Sequence, residues 1–249
     1  MKKILLLLSI FSLGMIQAQK VKKSDLIAME KSIYKKALQN YDLEQAKNSV
    51  YHILELEGEQ SPYLDSLAYI YFNQKNFPAT LKVSNTLLKK KESLPVLEMK
   101  AVALENLNLP KEAIDVYDKI YKLKKDVGTA YKLATLQQQL KRSAEAYATL
   151  KSAENLKFPE KGFVYAPTAK KGKQQAVKFQ AAFYNLMAIT AYDLHNYDLA
   201  VNYFDKALKL QPDYFVAKQN KQAIEIMRKK LQQNPPPPPK NNRPEKADK

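Results

Sequence analysis

The chain has 249 residues, with 41 Lys+Arg against 25 Asp+Glu, a formal charge of +16 and no cysteine. The missing cysteine excludes disulfides, thiol nucleophiles and Cys-ligated zinc or iron–sulfur centres. Five glycines are too few to supply phosphate-cradling loops together with the many turns of a β-rich fold, so a helical, non-catalytic protein without a cofactor is expected.

At the start of the chain, Lys2 and Lys3 precede an apolar run, Ile4 to Ile16, broken by Ser9, Ser12 and Gly14, and Ala18 offers a small residue for cleavage before Gln19. This pattern predicts a signal peptide over 1–18. As a helix the run would be roughly 20 Å long, short of the ~30 Å hydrocarbon core. No cysteine stands at the cleavage point, which argues against a lipid anchor. The expected product is exported, periplasmic or secreted, without a transmembrane segment. Losing Lys2 and Lys3 leaves a charge of +14. An exported basic protein meets anionic lipids, envelope polysaccharides or acidic proteins before it meets nucleic acid.

From residue 27 onward a period emerges. Small residues recur at Ala46, Thr80, Ala113, Ala146 and Ala200, and each has partners four and seven residues later: Val50 and Ile53, Ser84 and Leu87, Tyr117 and Ile120, Leu150 and Ala153, Phe204 and Ala207. Each is preceded by a second stripe at helical spacing: Ile33-Tyr34-Ala37, Leu64-Leu67-Ala68-Tyr71, Leu97-Ala101-Leu104, Ala130-Leu133-Ala134 and Tyr184-Met187-Ala188-Ala191. Helix pairs are therefore predicted at about 27–60, 61–93, 94–126, 127–158 and 181–214. Small residues let paired helices approach closely, and each pair leaves an apolar face that a neighbouring pair can cover.

One interval, Ala146 to Ala200, is too long. The excess lies in 157–178, where Pro159, Gly162, Pro167 and Gly172 break helix and six lysines face one acid, interleaved with Phe158, Phe163, Val164 and Tyr165. An insertion in a repeat array usually projects as a loop. Two readings stay open: a tolerated, lysine-solvated loop, or a basic aromatic contact for an anionic partner through Lys161, Lys170, Lys171 and Lys173. Residues 213–233 predict a capping helix with Phe215, Ala223, Ile224, Met227 and Leu231 on its apolar side and Lys218, Lys221 and Arg228–Lys230 elsewhere. Five prolines from Pro235 to Pro239 then end any helix, and 234–249 is expected to be a disordered tail.

The segment 181–214 resembles the tetratricopeptide repeat, a helix–turn–helix unit. Tyr184 stands at its position 4, Ala188 at 8, Ala200 at 20, Phe204 at 24, Ala207 at 27 and Pro212 at 32, and Asn196-Tyr197-Asp198-Leu199-Ala200 looks like the family's entry into its second helix. The resemblance implies an all-α, right-handed α-α superhelix of about five repeats plus a capping helix. It also implies a protein-interaction scaffold whose first helices line a concave groove. Carried over position by position, the implied partner-binding residues are Asp65, Tyr69 and Asn73; Glu98 and Asn106; Tyr131, Gln138 and Gln139; and Asn185, Tyr192 and Asp193. The Lys/Asn clamp that some family members use for a C-terminal carboxylate is not reproduced. No metalloprotease, nucleophile-elbow, P-loop or dinucleotide motif occurs. His52 and His195 fall in separate repeats and read as surface or capping residues. Tyr117, Tyr184 and Tyr203 read as core.

Overall fold

The computed structural model describes residues 22–58 and 60–233; the expected signal segment 1–18 and the proline-rich tail 234–249 lie outside the described residues. Those residues form eleven helices and one hairpin: α1 Lys23–Gln39, α2 Leu43–Glu57, α3 Tyr63–Asn73, α4 Phe77–Lys90, α5 Leu94–Asn106, α6 Pro110–Lys124, α7 Val127–Gln139, α8 Ser143–Ala153, β1 Phe163–Pro167, β2 Gln174–Lys178, α9 Phe179–Asp193, α10 Tyr197–Leu210 and α11 Phe215–Gln233. The chain divides into two compact units after Asn108, so α1–α5 belong to the first and α6–α11 with the hairpin to the second.

The small residues that set the period are the most deeply buried. Ala46, Thr80, Ala113, Ala146 and Ala200 are all 0% exposed. Thr80 holds its place because its hydroxyl donates to the Asn76 carbonyl at 2.9 Å, inside its own helix turn. In the first unit, Ala37, Ala46, Val50, Leu67, Ala68, Ile70 and Val83 form one core, flanked by Tyr34, Leu64, Tyr71 and Leu87. The Tyr51 and Tyr71 hydroxyls meet directly, and burial, with that bond, pushes Tyr71 up to about 12. In the second unit, Ile120, Leu133, Leu150, Phe183, Met187 and Phe204 are the large residues removed from water.

The turn inside each pair is built the same way five times. Three residues separate the helices, and the middle one adopts positive φ: Tyr41, Lys75, Asn108, Lys141 and His195, at 56° to 59°. Four of these turns close with the same bond, from the next residue's N–H to a carbonyl five residues back (Asp42 to Ala37, Asn76 to Tyr71, Arg142 to Gln137, Asn196 to Ala191), each 2.9 Å. This is the helix C-terminal lock usually built around glycine. Asp42, Asn76 and Asn196 then cap the following helix through their side chains. None of the five positions is glycine, so each carries backbone strain. Tyr41→Gly is the cleanest test, since the ring is 92% exposed and little packing is lost. Urea unfolding should show a gain of about 0.5–1 kcal/mol.

The insertion is not a loop. β1 and β2 pair antiparallel with Val164 opposite Val177 and Tyr165 opposite Ala176, and the turn at Thr168–Lys173 uses Gly172 at φ +76°. One face (Val164, Ala166, Gln175, Val177) turns inward and the other (Phe163, Tyr165, Pro167, Gln174, Ala176, Lys178) is exposed. The outer edge of β2 is closed by one side chain. The Gln211 amide donates to the Ala176 carbonyl at 3.0 Å and accepts from the Lys178 N–H at 2.8 Å, replacing a third strand. The fold class stays all-α, with this hairpin added.

The capping helix also departs from expectation. Tyr214, Ala217 and Ile224 are buried, whereas Ala223 and Met227 are exposed and Phe215 is half-buried; the Leu231 side chain lies outside the described residues. Its basic face is partly neutralised, because Lys221 pairs with Asp205 at 2.7 Å and Glu225 at 3.4 Å, and Arg228 pairs with Asp198.

Candidate functional site

In the first unit, α3 presents Asp65, Tyr69 and Asn73 on one exposed line, four residues apart. Tyr69 is 54% exposed, and the Asn73 amide is turned back onto the Tyr69 carbonyl at 2.8 Å. On α5, Glu98 is half-buried and Asn106 exposed, the latter bonded to the Val102 carbonyl at 2.8 Å. Asp65 borders a cleft of about 420 Å³ with Pro62, Leu87, Lys90, Lys91 and Val96.

In the second unit the expected residues split into two groups. Tyr131 is used for packing. Its ring meets Phe179 edge-on at 5.2 Å, and burial pushes its hydroxyl above the ordinary phenol range. It begins a string of rings through Phe179, Phe158, Phe183, Tyr184 and Tyr203, the last pair stacked at 6.2 Å. Phe158, from the insertion, thus belongs to the core. Asn185 is only 7% exposed, so it is not an open groove residue either. Gln139 is exposed.

The other group comes together. Gln138 of α7 donates to Asp193 Oδ2 at 2.5 Å, and the Ser143 hydroxyl of α8 donates to the same oxygen at 3.1 Å. Asp193 and its neighbour Tyr192 face a cavity of about 310 Å³ walled by Ile189, Phe204, Asn220, Ala223 and Ile224. Tyr192 also leans on α11, its hydroxyl 3.9 Å from Met227 Sδ. Two buried amide oxygens, Gln138 Oε1 and Asn185 Oδ1, have no hydrogen-bond donor among the described residues, and burial without one costs ~1–3 kcal/mol. The cavity wall from α11 was not foreseen, because the capping stripe was phased to bury Ala223. Its exposure is what opens the space between α9 and α11.

The hairpin's lysines form a second cluster. Lys157, Lys161, Lys170, Lys171, Lys173 and Lys178 are all exposed, and none forms an ion pair among the described residues. Each histidine is elsewhere: His52 Nδ1 meets Glu30 at 2.9 Å, and His195 occupies its turn beside Tyr197. Among the described residues, no three His, Cys, Asp or Glu side chains gather as a metal site, and no helix is long and apolar enough to cross a membrane.

The sequence profile of the tetratricopeptide repeat matches residues 181–214, which run from Ala181 in α9 through the His195 turn and α10 to Tyr214. These residues are a tetratricopeptide repeat. Solved structures of similar fold include a TPR protein, YrrB, described as having an unusual peptide-binding site (16% identity, TM-score 0.59, 83% of this chain and 95% of that one). The MamA protein is also similar (15% identity, TM-score 0.58, 76% and 93%), as is a tetratricopeptide repeat protein from Parabacteroides merdae (16% identity, TM-score 0.55, 85% and 75%). The fold of the chain is accordingly the all-α tetratricopeptide-repeat fold. No curated protein matches the sequence.

Proposed function

We propose that this tetratricopeptide-repeat protein is a non-catalytic scaffold, exported to the periplasm or cell envelope, that binds a protein or peptide partner through its first-helix faces. The cavity beside Tyr192 and Asp193 carries this reading. It joins an apolar floor (Ile189, Phe204, Ile224) to a carboxylate already held in position by Gln138 and Ser143. Such a site suits an aliphatic or aromatic side chain next to a basic one, and a preformed wall loses little conformational freedom on binding. YrrB, of the same fold, is described as having a peptide-binding site.

A photo-crosslinker at Ala223, on the cavity wall, should give adducts in envelope fractions that the same group at Glu112, on the exposed side of α6, does not. Equal labelling from both positions, or none, would count against the cavity. For the captured partner, Tyr192→Ala should weaken binding by about tenfold. Export is tested separately, by fusing residues 1–18 to a reporter that is active only outside the cytoplasm.

A second reading is an adaptor that holds an anionic envelope component. It is favoured by the six exposed lysines of 157–178, which form no ion pair among the described residues, among them Lys161, Lys170, Lys171 and Lys173. Ionic strength should abolish that contact while leaving the cavity's contact largely intact.

A further inference from the structure

Every lysine of the hairpin region is exposed and without an ion pair among the described residues, whereas Lys151, Lys206 and Lys221 of the neighbouring helices are each matched to a carboxylate. The exposed hairpin face adds an apolar strip. Phe163 is 62% and Tyr165 70% exposed; they stand two residues apart on one strand, with Pro167 beyond them and Ala176 opposite Tyr165. Lys178 sits across from Phe163, and Lys170, Lys171 and Lys173 occupy the turn. Large exposed rings cost hydration. Here they are held out on a strand pair whose inner face buries Ala166 and Val177 and whose edge is fixed by Gln211.

We propose that the β1–β2 hairpin is a docking element for an anionic lipid bilayer, with Phe163 and Tyr165 entering the interfacial layer and the lysines engaging lipid phosphates. This rests on the second reading, that the hairpin is an anionic contact, and names its partner. Charge complementarity selects an anionic partner, since the segment carries +5. The apolar strip selects lipid over polysaccharide. Phe163, Pro167 and Ala176 offer no side-chain donor or acceptor for a sugar's hydroxyls, and Tyr165, an apolar ring with one polar tip, suits the boundary layer of a bilayer. Apolar contact and cationic contact together are the two signals that stable interfacial binding requires. Because the hairpin is already folded, little ordering is needed on docking.

The chain contains no tryptophan, so Phe163→Trp places a single reporter on the strip of the full-length protein. A local reporter is needed because the run Ile4–Ile16 has its own affinity for bilayers. With phosphatidylcholine vesicles containing phosphatidylglycerol, its emission should shift to the blue and be quenched by brominated acyl chains. With phosphatidylcholine alone it should not. Replacing Lys170, Lys171 and Lys173 with Gln removes three charges worth about fivefold each near an anionic surface, so the lipid concentration at half-shift should rise by about a hundredfold. Tyr165→Ser in the same background should weaken the shift on the anionic vesicles by about tenfold, since it removes apolar contact and leaves the lysines in place. Absence of quenching on anionic vesicles overturns the proposal. If emission instead responds to soluble dextran sulfate but not to vesicles, lipid is wrong and the anionic-contact reading survives. If neither moves it, both fail.

Discussion

Phe183→Ala is expected to destabilise the second unit by about 3–5 kcal/mol. The ring is 0% exposed, meets Phe158 edge-on at 5.1 Å and lies 6.1 Å from Tyr184 at 83°. Truncation loses the transfer energy of the ring and leaves a space the flanking rings cannot close without leaving their edge-on geometry. It also unfastens Phe158, one of the residues that anchor the long connection between α8 and α9. Because repeat arrays unfold in neighbouring pieces, the loss should be read by hydrogen exchange in α9 as well as by urea unfolding. Tyr165→Ala, on the exposed hairpin face, is the matched control and should lie within ±0.5 kcal/mol. Equal losses would mean that the ring string does not form the core.

The second large effect concerns Glu154, just past the end of α8. Its side chain is 10% exposed, and its carboxylate receives Lys151 at 2.6 Å, Lys206 at 3.0 Å and the Tyr203 hydroxyl at 3.4 Å. Burial works against ionisation, yet the two lysines outweigh it and hold the carboxyl below its ordinary range. Lys206 and Tyr203 lie on α10, so one carboxylate ties the helix before the hairpin to a helix after it. Glu154→Ala should cost about 2–3 kcal/mol at neutral pH, less than a fully buried pair because both lysines are half in water. Glu154→Gln isolates the charge. Since the folded carboxyl ionises more readily than the unfolded one, the stabilisation is complete above the unfolded value of 4.5 and fades as pH falls through the lower, folded value. The gap between wild type and Glu154→Gln should therefore be constant from pH 7 to about 5 and close in stronger acid. A gap that widens on acidification would reverse the assignment.

Both predictions involve long-range contacts, and that is where sequence reading loses its grip. The helix pairs were legible because close helix packing demands small side chains at fixed intervals, and Ala46, Ala113, Ala146 and Ala200 meet that demand. Tyr131 was assigned to a groove because its position on α7 faces that way in the resembled repeat. Its ring is claimed by Phe179, 48 residues on and beyond the insertion, a partner that no local pattern announces. The hairpin was hidden for a different reason. Its strands are five residues each, and the inner positions Val164, Ala166, Gln175 and Val177 are too short and mixed a stripe to outweigh the lysines around them. Of the candidate groove, Asp193, Tyr192 and Gln138 do converge, while Asn185 is buried and the α11 wall was placed on the wrong side of its helix. Scarce glycine did not prevent positive-φ turns: five are built from Tyr41, Lys75, Asn108, Lys141 and His195, four of them held by the 2.9 Å helix-end bond.

The four turns that carry the 2.9 Å helix-end lock decide where the chain can change length. At Tyr41, Lys75, Lys141 and His195 the same three-residue turn and backbone geometry are repeated, and adding or removing a residue there would break the lock and rotate the second helix off its partner. Between pairs the connections run from two residues before α7 to the 25 that carry the hairpin, and the chain rejoins its pattern each time. Growth has been accommodated at one kind of junction alone, so the connections between pairs are the places to splice a new module into this scaffold.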